Sequence, residues 1–217
     1  MTLKPTGWYV KDMNQIDTHP TRERILNKAL FVIRERGLAD TSIMDLCEAA
    51  GVTKGAFFHH FSSKEELAIE ATRYWTKVTG GAFASAAYHE FEDPLDRLIA
   101  YIDFRATLIR NRSIPEFTCL LGTMAQEIYE TQPLVREACN TGIDAHAATV
   151  AKLIADAKAV HAPRASWSVE SLALHTQAVI QGAFILAKAK SDPQIAIDSI
   201  VHLRRYVELL FHHAKED

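Results

Sequence analysis

At 217 residues, with 48% hydrophobic and 24% charged side chains, the chain is long enough for one large core or for a small domain attached to a larger one. It contains no run of about 18 uncharged apolar residues, and the opening MTLKPTGWYVKDMNQ lacks the apolar core of a signal peptide; both features point to the cytoplasm and away from a membrane. A net charge of −3 argues against a general coater of nucleic acid, and three cysteines, Cys47, Cys119 and Cys139, without a C-x-x-C spacing argue against a disulfide framework and a zinc site.

Residues 1–20 carry Pro5, Gly7, Trp8, Tyr9 and Pro20 with only Lys4 and Lys11 as bases, and read as a loosely docked arm rather than a minor-groove probe. Residues 22–36 place Ile25, Leu26, Ala29, Leu30, Val32 and Ile33 at helical spacing, a helix suited to clamp those that follow. Thr41 and Ser42 can cap a second helix whose inward face is Ile43, Leu46, Cys47 and Ala50. Gly51 breaks it, Val52 plugs the corner, and Thr53 caps a short helix over 54–60. Phe57, Phe58 and Phe61 form the inward side of that helix, leaving Lys54, Gly55, His59 and His60 on the other. Ser63 and Glu66 then form a capping box that sets Lys64 in the first turn of a fourth helix, where its ammonium can meet a phosphate.

Two short helices around a glycine turn are the layout of a helix-turn-helix. A second helix this short is marginal alone, since isolated helices under roughly 12 residues are not stable in water. Held by its neighbours, it can enter the major groove, with its N-terminal residues at base edges and its amides near phosphates. Gly55 and Ala56 permit close approach. The charge distribution agrees: residues 21–81 hold nine Lys and Arg against eight Asp and Glu, residues 82–217 hold 13 against 17, and residues 51–64 hold two lysines, two histidines and no acid. The plain alternative is a generic three-helix packing unit.

The elements Gly37, Thr41, Ala49-Ala50-Gly51-Val52, Lys54-Gly55-Ala56-Phe57-Phe58-His59-His60-Phe61 and Ser63-Lys64-Glu65-Glu66-Leu67 resemble the signature of TetR-family transcriptional regulators. The resemblance covers about the first third of the chain. It implies groove contacts from Thr53, Lys54, Gly55, Ala56 and His59, and phosphate contacts from Thr41, Ser42, His60 and Lys64. Phe58 is also carried over as a DNA-binding position, although it stands where family members commonly have a tyrosine whose hydroxyl bonds a phosphate, so that hydrogen bond is lost here.

Beyond Gly81 the pattern stays helical. Asp93-Pro94 opens a helix over 94–110, and Pro115, Pro133, Pro163 and Asp192-Pro193 punctuate helices at 116–130, 133–160, 168–190 and 193–213. No run alternates as a strand does. The expected architecture is therefore all-α, with an arm at 1–20, a three-helix DNA-binding domain with the helix-turn-helix at 21–81, and a helical bundle at 82–217. The resemblance implies that the bundle binds a small-molecule effector and forms a homodimer through its last two helices. Dimer candidates are Ala173, Gln177, Ala178, Gly182, Ile185 and Ala189 on one helix, and Ile197, Ile200, Val201, Tyr206, Val207 and Leu210 on the other.

Effector candidates are Trp75, Tyr101, Phe104, Phe117, Cys119, Met124, His175 and Phe184, each of which equally suits an ordinary core position. Arg105 and Glu127 become informative if buried, although solvent exposure is the expectation for both. Cys119-Leu120-Leu121-Gly122 resembles an element in a TetR branch that includes electrophile sensors, while a free cysteine is more often a small buried hydrophobe. A metal-dependent hydrolase is the rival from another class, prompted by His59-His60 and His212-His213. Adjacent histidines diverge on a helix, and no G-x-S-x-G or H-E-x-x-H motif is present, so neither an enzyme nor a cofactor is expected. A TetR-like protein acting only through protein partners is the third reading.

Overall fold

The computed structural model describes residues 21–213, so the arm at 1–20 lies outside the described residues. Those described form ten α-helices and one 3-10 turn, Ala87–Glu90, and no strand occurs among them. The helices are α1 Thr21–Arg36, α2 Ile43–Ala50, α3 Lys54–His60, α4 Lys64–Ala84, α5 Pro94–Thr107, α6 Ile114–Phe117, α7 Leu120–Ile128, α8 Pro133–His161, α9 Val169–Lys190 and α10 Gln194–His213. Side-chain caps start several of them. Asp93 accepts from the amides of Leu95 and Asp96 at α5, and Ser168 accepts from that of Ser171 at α9. Each such cap satisfies an orphan N–H and stabilises its helix by about 1 kcal/mol.

One compact unit comprises residues 21–82 together with Thr118–Ile143. The apolar stripe of α1 (Ile25, Leu26, Ala29, Leu30, Ile33) is buried against Leu46, Cys47 and Ala50 of α2, Phe57 of α3, and Leu67, Ala68, Ala71 and Trp75 of α4. Leu120, Leu121, Met124 and Ile128 of α7, with Val135 and Cys139 of α8, complete the same core. Packing therefore divides the chain differently from the expected boundary at 81. The reason is apolar area: α1 to α4 leave a face that α7 and the start of α8 cover. Contact there is close, because a Cβ on Gly142 would stand 2.6 Å from Cδ1 of Leu121 and 2.8 Å from Oγ1 of Thr76.

Arg34 is buried in this unit, a feature the sequence does not announce. Its Nε donates to the carbonyl of Leu30 at 2.6 Å, its Nη1 to that of Thr118 at 3.3 Å, and its guanidinium lies 4.7 Å from the ring centroid of Trp75. A buried charge needs such partners. The same Thr118 marks a correction: the helix expected over 116–130 is two helices, α6 and α7, separated at Thr118 and Cys119, where Cys119 is extended (φ −81°, ψ 125°).

The second unit comprises Phe83–Phe117 and residues 144–213, with α10 packed on both α5 and α9. Its interior includes Leu98, Tyr101, Ile102, Ile154, Ala157, Ile180, Ala183, Ile200, Leu203, Val207 and Phe211. Here α5 ends at Thr107 rather than 110, and the chain turns through Asn111 in the left-handed region (φ 58°), a conformation that asparagine tolerates better than most residues.

Candidate nucleic-acid interface and effector site

Backbone chemistry builds the α2–α3 corner. The N-cap of α2 is Ser42, whose hydroxyl accepts from the Asp45 amide at 3.1 Å while the Asp45 carboxylate accepts from the Ser42 amide at 2.8 Å, a reciprocal capping box. The Ser42 hydroxyl and amide hold the Asp45 carboxyl below its ordinary pKa. Gly51 closes α2 with φ 60° and ψ 41°, its N–H reaching the Glu48 carbonyl at 3.1 Å while the Val52 N–H reaches that of Cys47 at 2.9 Å. This is a Schellman turn, and it requires a left-handed residue at position 51. Thr53 then caps α3, its hydroxyl accepting from the Ala56 amide at 3.1 Å.

The corner fixes which side of α3 faces out. Phe57 is fully buried and Phe61 nearly so, 5.6 Å apart between ring centroids. Phe58 corrects the expectation of an inward side chain: it is 44% exposed and meets Phe57 only edge-on, at 5.4 Å. Its place on the outer face follows from the 100° step between successive helical residues. Thr53, Lys54, Gly55 and His59 are exposed beside it, and Ala56 and His60 are partly so. The Lys54 ammonium lies 5.8 Å from the Phe58 ring centroid. A Cβ on Gly55 would meet nothing nearer than the Thr53 hydroxyl at 3.8 Å, so the surface there is open to a duplex.

Two of the expected phosphate contacts are placed differently. Thr41 is 0% exposed, and its hydroxyl donates to the Gly37 carbonyl; its side chain serves the α1–α2 connection and reaches no solvent. The Lys64 ammonium donates to the carbonyls of Leu38 (3.0 Å), Ala39 (3.3 Å) and Thr41 (3.0 Å), so all three of its donors are engaged and a phosphate must displace one of these carbonyls. From α7, Glu127 approaches the same connection. Its Oε2 accepts from the amides of Leu38 at 2.7 Å and Ala39 at 3.2 Å. Gly37, at φ +92°, makes room for that carboxylate, since a Cβ there would lie 2.2 Å from Oε1. At the start of α4 the Glu66 amide donates to Ser63, while the Glu66 carboxylate accepts from Ser62 rather than Ser63, so the expected capping box is displaced by one residue.

The eight effector candidates fall into separate groups. Trp75 and Met124 are core residues of the unit carrying the helix-turn-helix, and Cys119 is partly buried against that core. Burial pushes the Cys139 thiol up to about 12, with neighbouring Cys119 adding to the effect. In the other unit, Phe117 and Phe184 pair at 5.6 Å between centroids, whereas His175 is exposed and lies 5.2 Å from Tyr206. Tyr101 and Phe104 join an aromatic cluster with Phe83, Tyr88, His146 and the guanidinium of Arg105. Sequence reasoning missed Phe83, Tyr88 and His146. The missing signal is tertiary, because these residues belong to α4, the 3-10 turn and α8.

Exposed apolar side chains concentrate on the last two helices: Leu174, Ile185 and Leu186 of α9, and Val201, Tyr206 and Leu209 of α10. Of the dimer-face residues expected from sequence, Ala173, Gln177, Ile200 and Val207 are instead buried in their own chain. The His59 and His60 rings meet edge-on at 4.9 Å, and among the described residues no three His, Cys, Asp or Glu side chains come together as metal ligands. No helix among them is long and apolar enough to cross a membrane.

Comparisons with known proteins agree with this geometry at both ends of the chain. The family model described as bacterial regulatory proteins, tetR family, matches residues 25–71, and that described as tetracyclin repressor-like, C-terminal domain, matches residues 94–203. The regulator UidR of Escherichia coli K12 is 39% identical over 56 residues, 26% of this chain and 29% of its own length. The repressor DhaR of Mycobacterium sp. GP1 is 27% identical over 117 residues, 54% of this chain and 57% of its own. The chain thus spans less than two thirds of either relative. A crystal structure of a TetR transcriptional regulator from Chloroflexus aurantiacus superposes with a TM-score of 0.75 at 28% identity, covering 87% of this chain and 94% of that one.

Proposed function

The chain belongs to the tetR family of bacterial regulatory proteins, and we propose that it is a cytoplasmic, ligand-responsive transcriptional regulator, a homodimeric repressor released from a palindromic operator by a small-molecule inducer. One observation carries the reading: α3 turns Thr53, Lys54, Gly55, Phe58 and His59 outward from a corner held by backbone hydrogen bonds. A rigid short helix with an open, acid-free face is what the major groove receives. Lys54, Thr53, Gly55, Ala56 and His59 meet the groove, with Ser42 and His60 beside phosphates and Lys64 joining them once it exchanges a carbonyl for a phosphate oxygen. DhaR, a relative, is itself named a repressor.

Dimerisation follows from the same mechanism, because two recognition helices must meet half-sites about one helical turn apart. The apolar strip of Leu174, Ile185, Leu186, Val201, Tyr206 and Leu209 supports α9 and α10 as the surface that a second copy covers. Effector binding in the bundle reaches the DNA-binding head through α4, which carries both Lys64 and Phe83. A 100-fold loss of operator affinity requires a coupling of only about 2.7 kcal/mol, within the usual allosteric range.

Selection of bound fragments from random DNA with the purified protein, followed by titration at two salt concentrations, tests the reading. Enrichment of a palindrome with steeply salt-dependent affinity is the expected result. No enriched sequence from folded, dimeric protein would overturn it and favour action through protein partners alone.

A further inference from the structure

The aromatic cluster around Arg105 holds hydrogen-bond donors in excess of acceptors. Arg105 is partly buried on α5, with its guanidinium 5.2 Å from the Phe83 ring centroid. Its Nη1 donates to Nε2 of His146 at 3.2 Å. A guanidinium can only donate, so this Nε2 is an unprotonated acceptor and the imidazole carries its proton on Nδ1. Burial, and next the charge of Arg105, hold His146 down to about 3, so it stays neutral. The Tyr101 hydroxyl lies 3.0 Å from the same nitrogen, and one lone pair thus serves two donors. One further donor has no partner: the Tyr88 hydroxyl is buried without one on a residue 1% exposed. The Gln177 side chain meets the Tyr101 hydroxyl as a hydrogen-bonding neighbour. Arg105 makes no ion pair among the described residues; its polar contacts are with the neutral His146 ring and the Tyr101 hydroxyl.

Such an arrangement lacks an acceptor carrying one negative charge. We propose that Arg105 and Tyr88 recognise the carboxylate of an organic monoacid whose apolar body packs against Phe83, Tyr101 and Phe104. Each part of that ligand answers a feature of the cluster. A planar carboxylate matches the guanidinium fork, and a remaining lone pair suits the orphaned Tyr88 hydroxyl. One cation beside a neutral histidine favours a monoanion over a phosphate dianion. The rings of Phe83, Tyr88, Tyr101 and Phe104, packed on one another with centroids 5.5 to 5.9 Å apart, line the site with apolar surface. The inference rests on the reading of the bundle as the effector domain and adds the class of effector.

Calorimetric titration of the full-length protein with phenylacetate and hexanoate, each beside its neutral primary amide, tests the proposal. At least one carboxylate binds about 10-fold or more tightly than its amide, the factor expected when a charge-assisted hydrogen bond is lost. Arg105→Gln erases that preference, Arg105→Lys keeps part of it, and Tyr88→Phe, which preserves shape, weakens the carboxylate about fivefold. Equal affinity for acid and amide, failure of both carboxylates to bind folded protein, or a preference that survives Arg105→Gln would each overturn the proposal. The outcome separates from that of the regulator reading. A palindrome enriched by a protein indifferent to carboxylates removes only the carboxylate, whereas absent operator binding removes the regulator reading whatever the titrations give.

Discussion

The outer face of α3 and the Arg105 cluster both present cations and unpaired hydrogen-bonding groups, yet the two differ in what surrounds them. Lys54, Thr53 and His59 are solvated, so their polar groups cost nothing while they wait, and any phosphate or base edge in register can replace water. The Tyr88 hydroxyl has no water to fall back on, because it is buried without a partner. Burial without a partner costs about 1–3 kcal/mol per group, and a ligand that supplies the partner recovers it. Exposed donors therefore give affinity that salt erodes, and buried donors give selectivity for one chemical group. Changes in the interior register in stability and ligand choice; those on α3 register in DNA affinity alone.

The widest separation between the two regions is expected with pH. His146 titrates near 3 in the folded protein against about 6.5 in the unfolded chain, so below pH 6.5 the unfolded state takes up a proton that the folded state refuses. Stability from this group is full above that pH and falls as the solution is acidified towards 3. About 2 kcal/mol is lost between pH 7 and pH 5, and His146→Gln flattens that part of the denaturation profile. A profile unchanged by the substitution would place the ring in water and break the contrast.

Next in size, Lys54→Ala lowers operator affinity by about 10-fold and relaxes the preference at the base pair it meets, with the melting temperature unmoved. Phe58→Tyr restores a hydroxyl to an exposed position on the same face and tightens operator binding by about fivefold, or roughly 1 kcal/mol. Of the same small size, Tyr88→Phe removes an orphaned hydroxyl and raises the unfolding free energy by about 1 kcal/mol in the absence of ligand. A large loss there would mean that the hydroxyl already has a partner.

The helix-turn-helix was legible in sequence because its determinants are local: Ser42, Gly51 and Thr53 act within four residues of themselves, and α3 begins and ends where the spacing predicts. Tyr101 and Phe104 were singled out by type, but the cluster that gives them meaning draws on residues 83, 88, 146 and 177, and nothing in local spacing links those positions. Thr41 shows the opposite failure: its residue type fits a phosphate contact, while its buried hydroxyl serves the Gly37 carbonyl. Lys64 rests on carbonyls of the same α1–α2 connection, a tertiary contact that residue type does not announce. Phe58 was misplaced because an aromatic run on a seven-residue helix cannot all face one way.

Around Leu38 and Ala39 the backbone amides are taken by Glu127 and the carbonyls by Lys64, while Arg34 of α1 reaches the Thr118 carbonyl far along the chain. For anyone exchanging DNA-binding heads between proteins of this kind, that sets where the seam can run. A graft cut at residue 81 would bring Lys64 along yet leave Glu127 and Thr118 behind, stranding two amides, one guanidinium and the α7 face of the core. The transferable module is discontinuous: residues 21–82 travel with Thr118–Ile143, and a chimera that respects both pieces keeps its new specificity on a scaffold that still folds.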